Sequence, residues 1–258
     1  MSGAAAYLGE HVRQPSEKVV VGFMSPGDVK SDYMLSLLYM LMFDFANHQR
    51  VVNGGGIVNI DAGCNLSAPR NEMVKKFLAH PGADWLLQID ADMVFQPDLL
   101  ERLLEFADPD EAPIVGGLCF GFDDTGRIQP TLFGFVGEPD APQVVRYHEW
   151  PPDAMMQVAA TGGAALLIHR SVFEKMRDFE HPTRGKRGFN DAFPWFQELE
   201  HDGRPVSEDI AFCWRAGLLG IPVYVNTAVQ LGHIKSRVLT MGAYFDERGY
   251  LEQKEDRS

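Results

Sequence analysis

The chain has 258 residues, a length that suits one α/β domain or at most two small ones. Its formal net charge of −13 argues against broad electrostatic binding to nucleic acid or anionic membranes, although it does not exclude a local basic patch. Cys64, Cys119 and Cys213 are far apart and have neither metal-ligand spacing nor a disulfide framework, which predicts reduced thiols. Without a signal-peptide pattern or a bilayer-spanning apolar run, we expect a cytoplasmic protein with no membrane anchor.

Strand-like and helix-like segments alternate along the first half of the chain. The predicted strands are 18–24, 57–60, 85–89 and 113–120, and the predicted helices are 31–46, 67–80 and 98–106. In the first helix, apolar residues recur at helical spacing, which predicts packing into the core: Leu35, Leu38, Met42 and Phe45. This alternation predicts a mostly parallel sheet flanked by helices.

The pattern changes after residue 120. Short strands at 131–136 and 143–147 have the spacing of a hairpin, and a strand at 157–168 is interrupted by Gly162 and Gly163. Helices follow at 171–178 and 210–219, with Ser171 and Ser207 as the expected N-caps, and a last core strand at 221–225. We therefore predict a single domain at 18–245 whose second half, from 121, is partly antiparallel. We expect a flexible tail at 1–17 and a charged tail at 246–258.

Two carboxylates follow the most apolar of these strands. The run Trp-Leu-Leu-Gln-Ile at 85–89 is typical of a strand buried on both faces, and Asp90 and Asp92 come directly after it. Residues i and i+2 of a strand point to one side, so both carboxylates can converge on one point at the edge where α/β sheets bind ligands. Such a pair suits a hard divalent cation, which often carries a diphosphate. The alternative is an acidic turn before the next helix.

Other polar residues occupy helix starts and strand ends. Arg70 lies in a first helical turn, where a cation opposes the helix dipole, which indicates either a phosphate or carboxylate contact or a solvated arginine. Glu208 and Asp209 begin a later helix, where favourable interaction with the dipole could by itself explain them. His233 follows the last predicted strand.

A segment without periodicity covers 181–204. It contains basic and aromatic side chains, namely Arg184, Lys186, Arg187, Phe189, Phe193, Trp195 and Phe196. Long loops of this kind are often functional, and the functional interpretation is a lid that binds the acceptor through Arg187, with Trp195 as a stacking platform. The alternative is that the aromatic rings fold back onto the core.

The order of these motifs resembles that of nucleotide-sugar glycosyltransferases of the GT-A fold, in the broad family-2-like style. The matching segments are Asp-Ala-Asp at 90–92, the Thr-Gly-Gly segment at 161–170, the Ser-Glu-Asp segment at 207–217, and 220–233, which ends in His233. The resemblance covers about residues 18–235. It implies an α/β GT-A fold with a donor-binding half at 18–120 and an acceptor half at 121–245.

The resemblance also implies a site. Asp92 and His233 would be direct ligands of Mn²⁺ or Mg²⁺, with Asp90 near the donor ribose or the waters of the metal. Imidazole with carboxylate suits Mn²⁺ better than Mg²⁺. The remaining residues expected to bind the donor, a UDP-sugar, are Pro26, Asp61, Asn65, Arg70, Gly162 and Gly163. Asp209 would be the general base, with Glu208 beside it, and both an inverting and a retaining outcome stay open.

Two alternatives come from other classes. Asp90 to Val94 matches the D-x-D-x-[T/V] of haloacid-dehalogenase-like phosphatases, in which the first Asp is the nucleophile, although that motif is usually on the first strand. A nucleotide-binding module without catalysis is the other. For the acceptor, basic and aromatic residues of 181–204 suit a modified nucleic-acid base. The acidic overall charge favours a protein, polysaccharide or small-molecule hydroxyl.

Overall fold

The computed structural model describes residues 18–63, 65–123, 125–137, 143–179, 193–201 and 204–235. The tails predicted at 1–17 and 246–258 lie outside these residues. The helices are α1 Ser31–Asn47, α2 Ser67–Leu78, α3 Leu99–Leu104, α4 Arg170–Asp178 and α5 Glu208–Leu218. The strands are β1 Val19–Ser25, β2 Ile57–Asp61, β3 Trp85–Asp90, β4 Met93–Val94, β5 Ile114–Leu118, β6 Phe120–Phe122, β7 Ile128–Pro130, β8 Leu132–Val136, β9 Gln143–Arg146, β10 Met155–Val158, β11 Ala160–Thr161, β12 Ala165–His169, β13 Leu199–His201, β14 Arg204–Val206, β15 Val223–Gln230 and β16 Gly232–His233.

A seven-stranded sheet in the order β10-β15-β5-β12-β3-β1-β2 forms the centre of the molecule. The β1–β2, β1–β3 and β5–β15 pairs are parallel, whereas β12 is antiparallel to both β3 and β5, and β10 is antiparallel to β15. Five strands therefore run in one direction, and the predicted mostly parallel sheet is confirmed. Strands from both predicted halves share this sheet, and the division at residue 120 stays a prediction.

Helices cover both faces of the sheet. Alternate residues of β1 face opposite ways, so that Val20 belongs to one apolar cluster and Val21 to another. The first cluster includes side chains from α2, α4 and α5, and the second includes side chains from α1 and α3. β3 lies between the two clusters, and its residues from Trp85 to Ile89 are at most 1% exposed. The prediction of a strand buried on both faces is confirmed.

The predicted core face of α1 was wrong. Leu35 and Leu38 are 47% and 48% exposed, and Met42 and Phe45 are 58% and 73% exposed. The buried face instead carries Tyr33, Leu37 and Met40, together with Ser36 and Asp44. Because α1 has leucine, methionine and aromatic residues all around its axis, helical spacing alone identifies more than one apolar face. Contact with the sheet decides which face is buried.

Short antiparallel pairs border the main sheet in the second half. β8 pairs with β9 as the predicted hairpin, and β11 pairs with the other edge of β8. The strand predicted at 157–168 is divided between β10, β11 and β12. His169 caps α4 in place of the predicted Ser171, whose backbone N–H donates to His169 Nδ1 at 3.3 Å. Among the described residues, no helix combines the length and apolarity needed to cross a bilayer.

Candidate active site

The site forms where β3 ends. The chain turns at Ala91 and Asp92 and then enters β4, which pairs antiparallel with β16 so that His233 lies opposite Met93. The backbone N–H of Ile234 donates to the Asp92 carbonyl at 2.8 Å. This small ladder brings together Asp92 and His233, which are 141 positions apart in the sequence.

His233 faces Asp92 with a defined ring nitrogen. Its Nδ1 lies 2.7 Å from the carbonyl oxygen of Phe120, which can only accept, so Nδ1 carries a proton. Its Nε2 lies 3.1 Å from Asp92 Oδ2. A neutral imidazole with this tautomer would direct a lone pair at the carboxylate, so a proton or a metal cation must lie between the two atoms. The hydrogen bond to Asp92 raises the pKa of His233, against the effect of burial.

The Asp92–His233 pair fits two ligands of one divalent cation. Two ligands about 2.1 Å from an octahedral ion and at right angles to each other lie about 3.0 Å apart, and the observed separation is 3.1 Å. The contact of Nδ1 with a backbone carbonyl is the outer interaction that usually orients a metal-binding histidine. Burial raises the pKa of Asp92, but hydrogen bonds from His233 and Lys235 outweigh it and lower that pKa to about 2. The carboxylate is therefore ionised at neutral pH.

Asp90 forms its contacts with Arg70 rather than with the Asp92–His233 pair, and the convergence of both carboxylates on one cation stays a prediction. β3 ends at Asp90, and the turn that follows breaks the i, i+2 alternation of a strand. Asp90 Oδ1 and Oδ2 lie 3.1 and 3.3 Å from Arg70 Nη2. Burial raises the pKa of Asp90, as do nearby Asp92, Asp209 and Glu208, while Arg70 lowers it. Across the described residues, no three acidic, histidine or cysteine side chains are grouped to hold a metal ion.

Arg70 is the centre of a buried ionic cluster. Its side chain is 2% exposed, and its Nε donates to Glu208 Oε1 at 3.0 Å. Its Nη1 donates to the carbonyl of Gly163 at 3.1 Å. Burial lowers the pKa of Arg70, but Asp90, Asp209 and Glu208 raise it overall. Of the alternatives the sequence left open, the carboxylate contact is the one observed.

Gly163 makes room for this arginine. A Cβ at position 163 would lie 2.8 to 3.0 Å from three atoms of the Arg70 guanidinium, closer than side chains pack. At Gly162 the nearest atom to such a Cβ would be Thr131 Cβ, at 3.3 Å. The packing of Arg70 therefore explains why residue 163 is a glycine. A close approach of Gly162 or Gly163 to a donor sugar stays a prediction.

Replacing Gly163 with alanine should destabilise the protein by about 1–3 kcal/mol, the usual cost of overpacking, because the new methyl group displaces Arg70 from its partners. Gly162→Ala is the matched control and should cost less, since Thr131 needs to move by only a few tenths of an ångström. Chemical denaturation followed by circular dichroism measures both free energies of unfolding. Equal losses in the two variants would contradict the assignment of Gly163 to Arg70.

Asp209 is held in place beside this cluster. Its Oδ2 accepts the backbone N–H of Gly163 at 2.9 Å, and its Oδ1 accepts the N–H of Ile210 at 2.8 Å and the hydroxyl of Ser207. Ser207 occupies the predicted N-cap position, yet its hydroxyl binds Asp209 rather than the backbone of α5. Asp209 is partly exposed, whereas Glu208 is 5% exposed. Of the two carboxylates, Asp209 is therefore the one that solvent reaches.

The other residues predicted to bind the donor lie at neighbouring strand ends. Asp61 ends β2 opposite Ser25, which immediately precedes Pro26, and both Pro26 and Asp61 are exposed. Asn65 Oδ1 accepts the backbone N–H groups of Ser67 at 2.9 Å and Ala68 at 3.3 Å, so it satisfies two donors of the first turn of α2 from outside the helix. The predicted helix at 67–80 begins at Ser67 as expected, whereas the contact from Asn65 was not predicted. The contacts of these residues with a donor stay predictions.

Trp195 is a core residue, and its predicted role as a stacking platform does not fit the structure. Its side chain is 4% exposed, and its Nε1 donates to the carbonyl of Phe173 at 2.9 Å. Phe196 is fully buried and stacks on Phe212 with ring centroids 4.4 Å apart. These rings fold back onto the core, as the alternative interpretation had it. Predicted contacts of the acceptor with Arg187, and the neighbouring Arg184, Lys186 and Phe189, lie outside the described residues.

Lys235 is a site residue that sequence analysis missed. Its Nζ lies 2.9 Å from Asp92 Oδ2, the oxygen that also faces His233. The only sequence signal is a lysine two positions after a candidate metal ligand, which by itself is too common to indicate a contact.

Comparisons with known proteins give the fold a name. No protein-family model and no curated protein matches the sequence. Among solved structures, A197 from STIV has a TM-score of 0.51 and 15% identity, over 85% of this chain and 86% of that one. GalNAc-T7, solved with UDP, GalNAc and Mn²⁺, has a TM-score of 0.52 and 10% identity, over 86% of this chain. The fold is GT-A.

The GT-A assignment confirms the fold class that the order of motifs predicted. The aligned region is 45% of the GalNAc-T7 chain, so that protein has a large part without a counterpart here. At 10% and 15% identity, both likenesses concern the fold.

Proposed function

We propose that this protein is a metal-dependent glycosyltransferase that moves a sugar from a nucleoside-diphosphate sugar, with UDP as the nucleotide, to an acceptor hydroxyl. The observation that carries the proposal is the Asp92–His233 pair at the carboxyl end of β3, with Nε2 and Oδ2 3.1 Å apart. In a GT-A fold, this edge of the sheet is where a ligand is expected. GalNAc-T7, which has a similar fold, was solved with UDP, GalNAc and Mn²⁺, and this supports the choice of donor and metal.

Asp92 and His233 would hold Mn²⁺ or Mg²⁺. When bound, the metal would act as a Lewis acid that stabilises the charge on the departing nucleoside diphosphate. The exposed strand ends at Pro26 and Asp61 border the space next to these residues on the side of β1 and β2. We assign the nucleoside to that space.

Asp209 is the proposed general base. It is partly exposed, and its Oδ2 has one hydrogen bond from Gly163, which leaves a lone pair for the hydroxyl of an acceptor. Its contacts with Ser207 and Ile210 fix the direction of the carboxylate before a substrate arrives. Glu208 takes a different role from the one expected, because it is buried and paired with Arg70. We assign it to positioning Arg70.

The acceptor is proposed to be a hydroxyl outside nucleic acid. The hypothesis of a modified nucleic-acid base relied partly on Trp195 as a stacking surface, and this ring is 4% exposed. A net charge of −13 also opposes a polyanionic acceptor. Activity on an oligonucleotide that falls steeply with salt would overturn this part of the proposal.

The direct test is calorimetric titration of the purified protein with UDP and with GDP, each in the presence and absence of Mn²⁺. We expect UDP to bind with an affinity that depends on Mn²⁺, and a panel of UDP-sugars then identifies the donor by release of UDP. Binding of GDP alone would change the assigned nucleotide. The absence of binding by either nucleotide, with or without metal, would contradict the proposed function.

The structure gives a reason to place the phosphatase alternative second. Its nucleophile would be Asp90, and both oxygens of that carboxylate lie within 3.3 Å of Arg70 Nη2, so the group is already neutralised by a buried cation. An alternative without catalysis would be eliminated by metal-dependent turnover of a UDP-sugar.

A further inference from the structure

Two side chains converge on one oxygen atom of Asp92 at the candidate metal site. Asp92 Oδ2 lies 3.1 Å from His233 Nε2 and 2.9 Å from Lys235 Nζ. The side chains of Asp92 and Lys235 are 32% and 42% exposed, so neither is locked in the interior. Lys235 can therefore leave Asp92 without disrupting the core.

The lysine and a metal cannot both use this oxygen in the observed arrangement. A protonated lysine has three donors and no lone pair, so it cannot be a metal ligand. A divalent cation bound between Asp92 and His233 would lie within a few ångströms of the Lys235 ammonium and would be repelled by it. The metal must therefore displace Lys235 or bind weakly beside it.

The neighbouring charges determine how strongly Lys235 and a metal ion compete for Asp92. Asp90 is already paired with Arg70, so it offers little negative charge to a second cation. In the described part of the site, the charge of Asp92 is thus the main attraction for both the lysine and the metal. A bound diphosphate would add negative charge beside Asp92. This charge would allow the Lys235 ammonium and the metal ion to be there together.

We propose that Lys235 is a built-in competitor of the metal for Asp92, and that this competition couples metal binding to nucleotide binding. Without nucleotide, Lys235 neutralises Asp92 and keeps the affinity for Mn²⁺ low. With a nucleoside diphosphate present, the added negative charge accommodates both cations, so that each ligand strengthens binding of the other by the same factor. The inference rests on the proposed function, because it takes the nucleoside diphosphate as the second ligand.

The test measures binding of Mn²⁺ by the electron paramagnetic resonance signal of the free ion, with and without UDP, in the wild-type protein and two variants. Lys235→Met removes the charge and keeps the length of the side chain, and Lys235→Arg keeps the charge. We expect Lys235→Met to bind Mn²⁺ alone about fivefold more tightly, the upper range for one half-exposed ion pair. The strengthening of Mn²⁺ binding by UDP should become smaller in that variant, and Lys235→Arg should behave as the wild type does.

Two results would overturn the inference. One is an Mn²⁺ affinity in Lys235→Met that equals that of the wild type, including no measurable binding by either. The other is equal tightening in Lys235→Met and Lys235→Arg, which would show that charge is not the cause. Thermal melts of both variants check that the fold is kept.

Failure of this inference is distinguishable from failure of the proposed function. If the wild type turns over a UDP-sugar but Lys235→Met leaves Mn²⁺ affinity unchanged, the function stands and the competition is rejected. If Lys235→Met tightens Mn²⁺ but no nucleotide binds to any form, the competition at Asp92 stands, while its coupling to nucleotide and the proposed function are both rejected.

Discussion

Arg70→Met should destabilise the protein by about 3–5 kcal/mol, the loss typical of removing one partner from a buried ion pair. Arg70 is 2% exposed and donates to Glu208, Gly163 and Asp90. Without it, the buried carboxylate of Glu208 has lost its cation, and the cost of burying that charge is no longer offset. Urea denaturation followed by circular dichroism gives the change in the free energy of unfolding.

A double variant separates the effect of charge from the effect of lost packing. Arg70→Met combined with Glu208→Gln removes the uncompensated charge, and we expect it to regain about 0.5–3 kcal/mol, the usual interaction energy between residues of one ionic network. Asp90 and Asp209 then stay as carboxylates near the lost cation, and both are partly exposed to water, Asp90 by 26%. If Arg70→Met unfolds at the same urea concentration as the wild type, the ionic cluster does not stabilise this fold.

In the proposed glycosyltransferase, Asp92→Asn should abolish the dependence of UDP binding on Mn²⁺ and lower the turnover of a UDP-sugar by about 1000-fold. This factor corresponds to the several kcal/mol of transition-state stabilisation that a bound metal supplies. Asparagine keeps the size of the side chain but removes the charge that attracts the metal. Because Asp92 is 32% exposed, the melting temperature should change little. Calorimetry and a UDP-release assay measure the two effects.

Two further variants complete this experiment. Asp178→Asn changes a carboxylate that is 67% exposed on α4 and should leave both binding and turnover unchanged. Asp90→Asn discriminates the reaction classes, because loss of the nucleophile abolishes a phosphatase of the haloacid-dehalogenase type. A glycosyltransferase should respond most to loss of Asp92. Activity that is lost with Asp90→Asn but retained with Asp92→Asn would therefore favour the phosphatase.

Local patterns in the sequence were sufficient for the elements that depend on near neighbours. The apolar run at 85–89 predicted a strand buried on both faces, since a strand of that composition has no polar side to expose. The β8–β9 hairpin followed in the same way from short strands separated by turn residues. The helix predicted at 210–219 is α5, which begins two residues earlier at Glu208, directly after the serine expected to cap it.

Some segments were compatible with two placements, and the local sequence pattern did not distinguish between them. α1 offers apolar residues on every side, and contact with β1 and its neighbours buries Tyr33 and leaves Phe45 73% exposed. Trp195 could have been a surface platform or a core residue. Its placement against Phe173 follows from the packing of α4 and α5 on the sheet, which no local pattern contains.

The sequence by itself determined the alternation of strands and helices in the first half, the GT-A class and the position of Asp90 and Asp92 at the end of β3. The tertiary structure decided which side chains meet there. Arg70 reaches Glu208 across 138 positions, and His233 and Lys235 reach Asp92 across 141 and 143. The order of strands in the sheet and the pairing of β4 with β16 create these contacts. Periodicity describes the preferences of each segment, whereas the partner of a charged side chain depends on how distant segments are brought together.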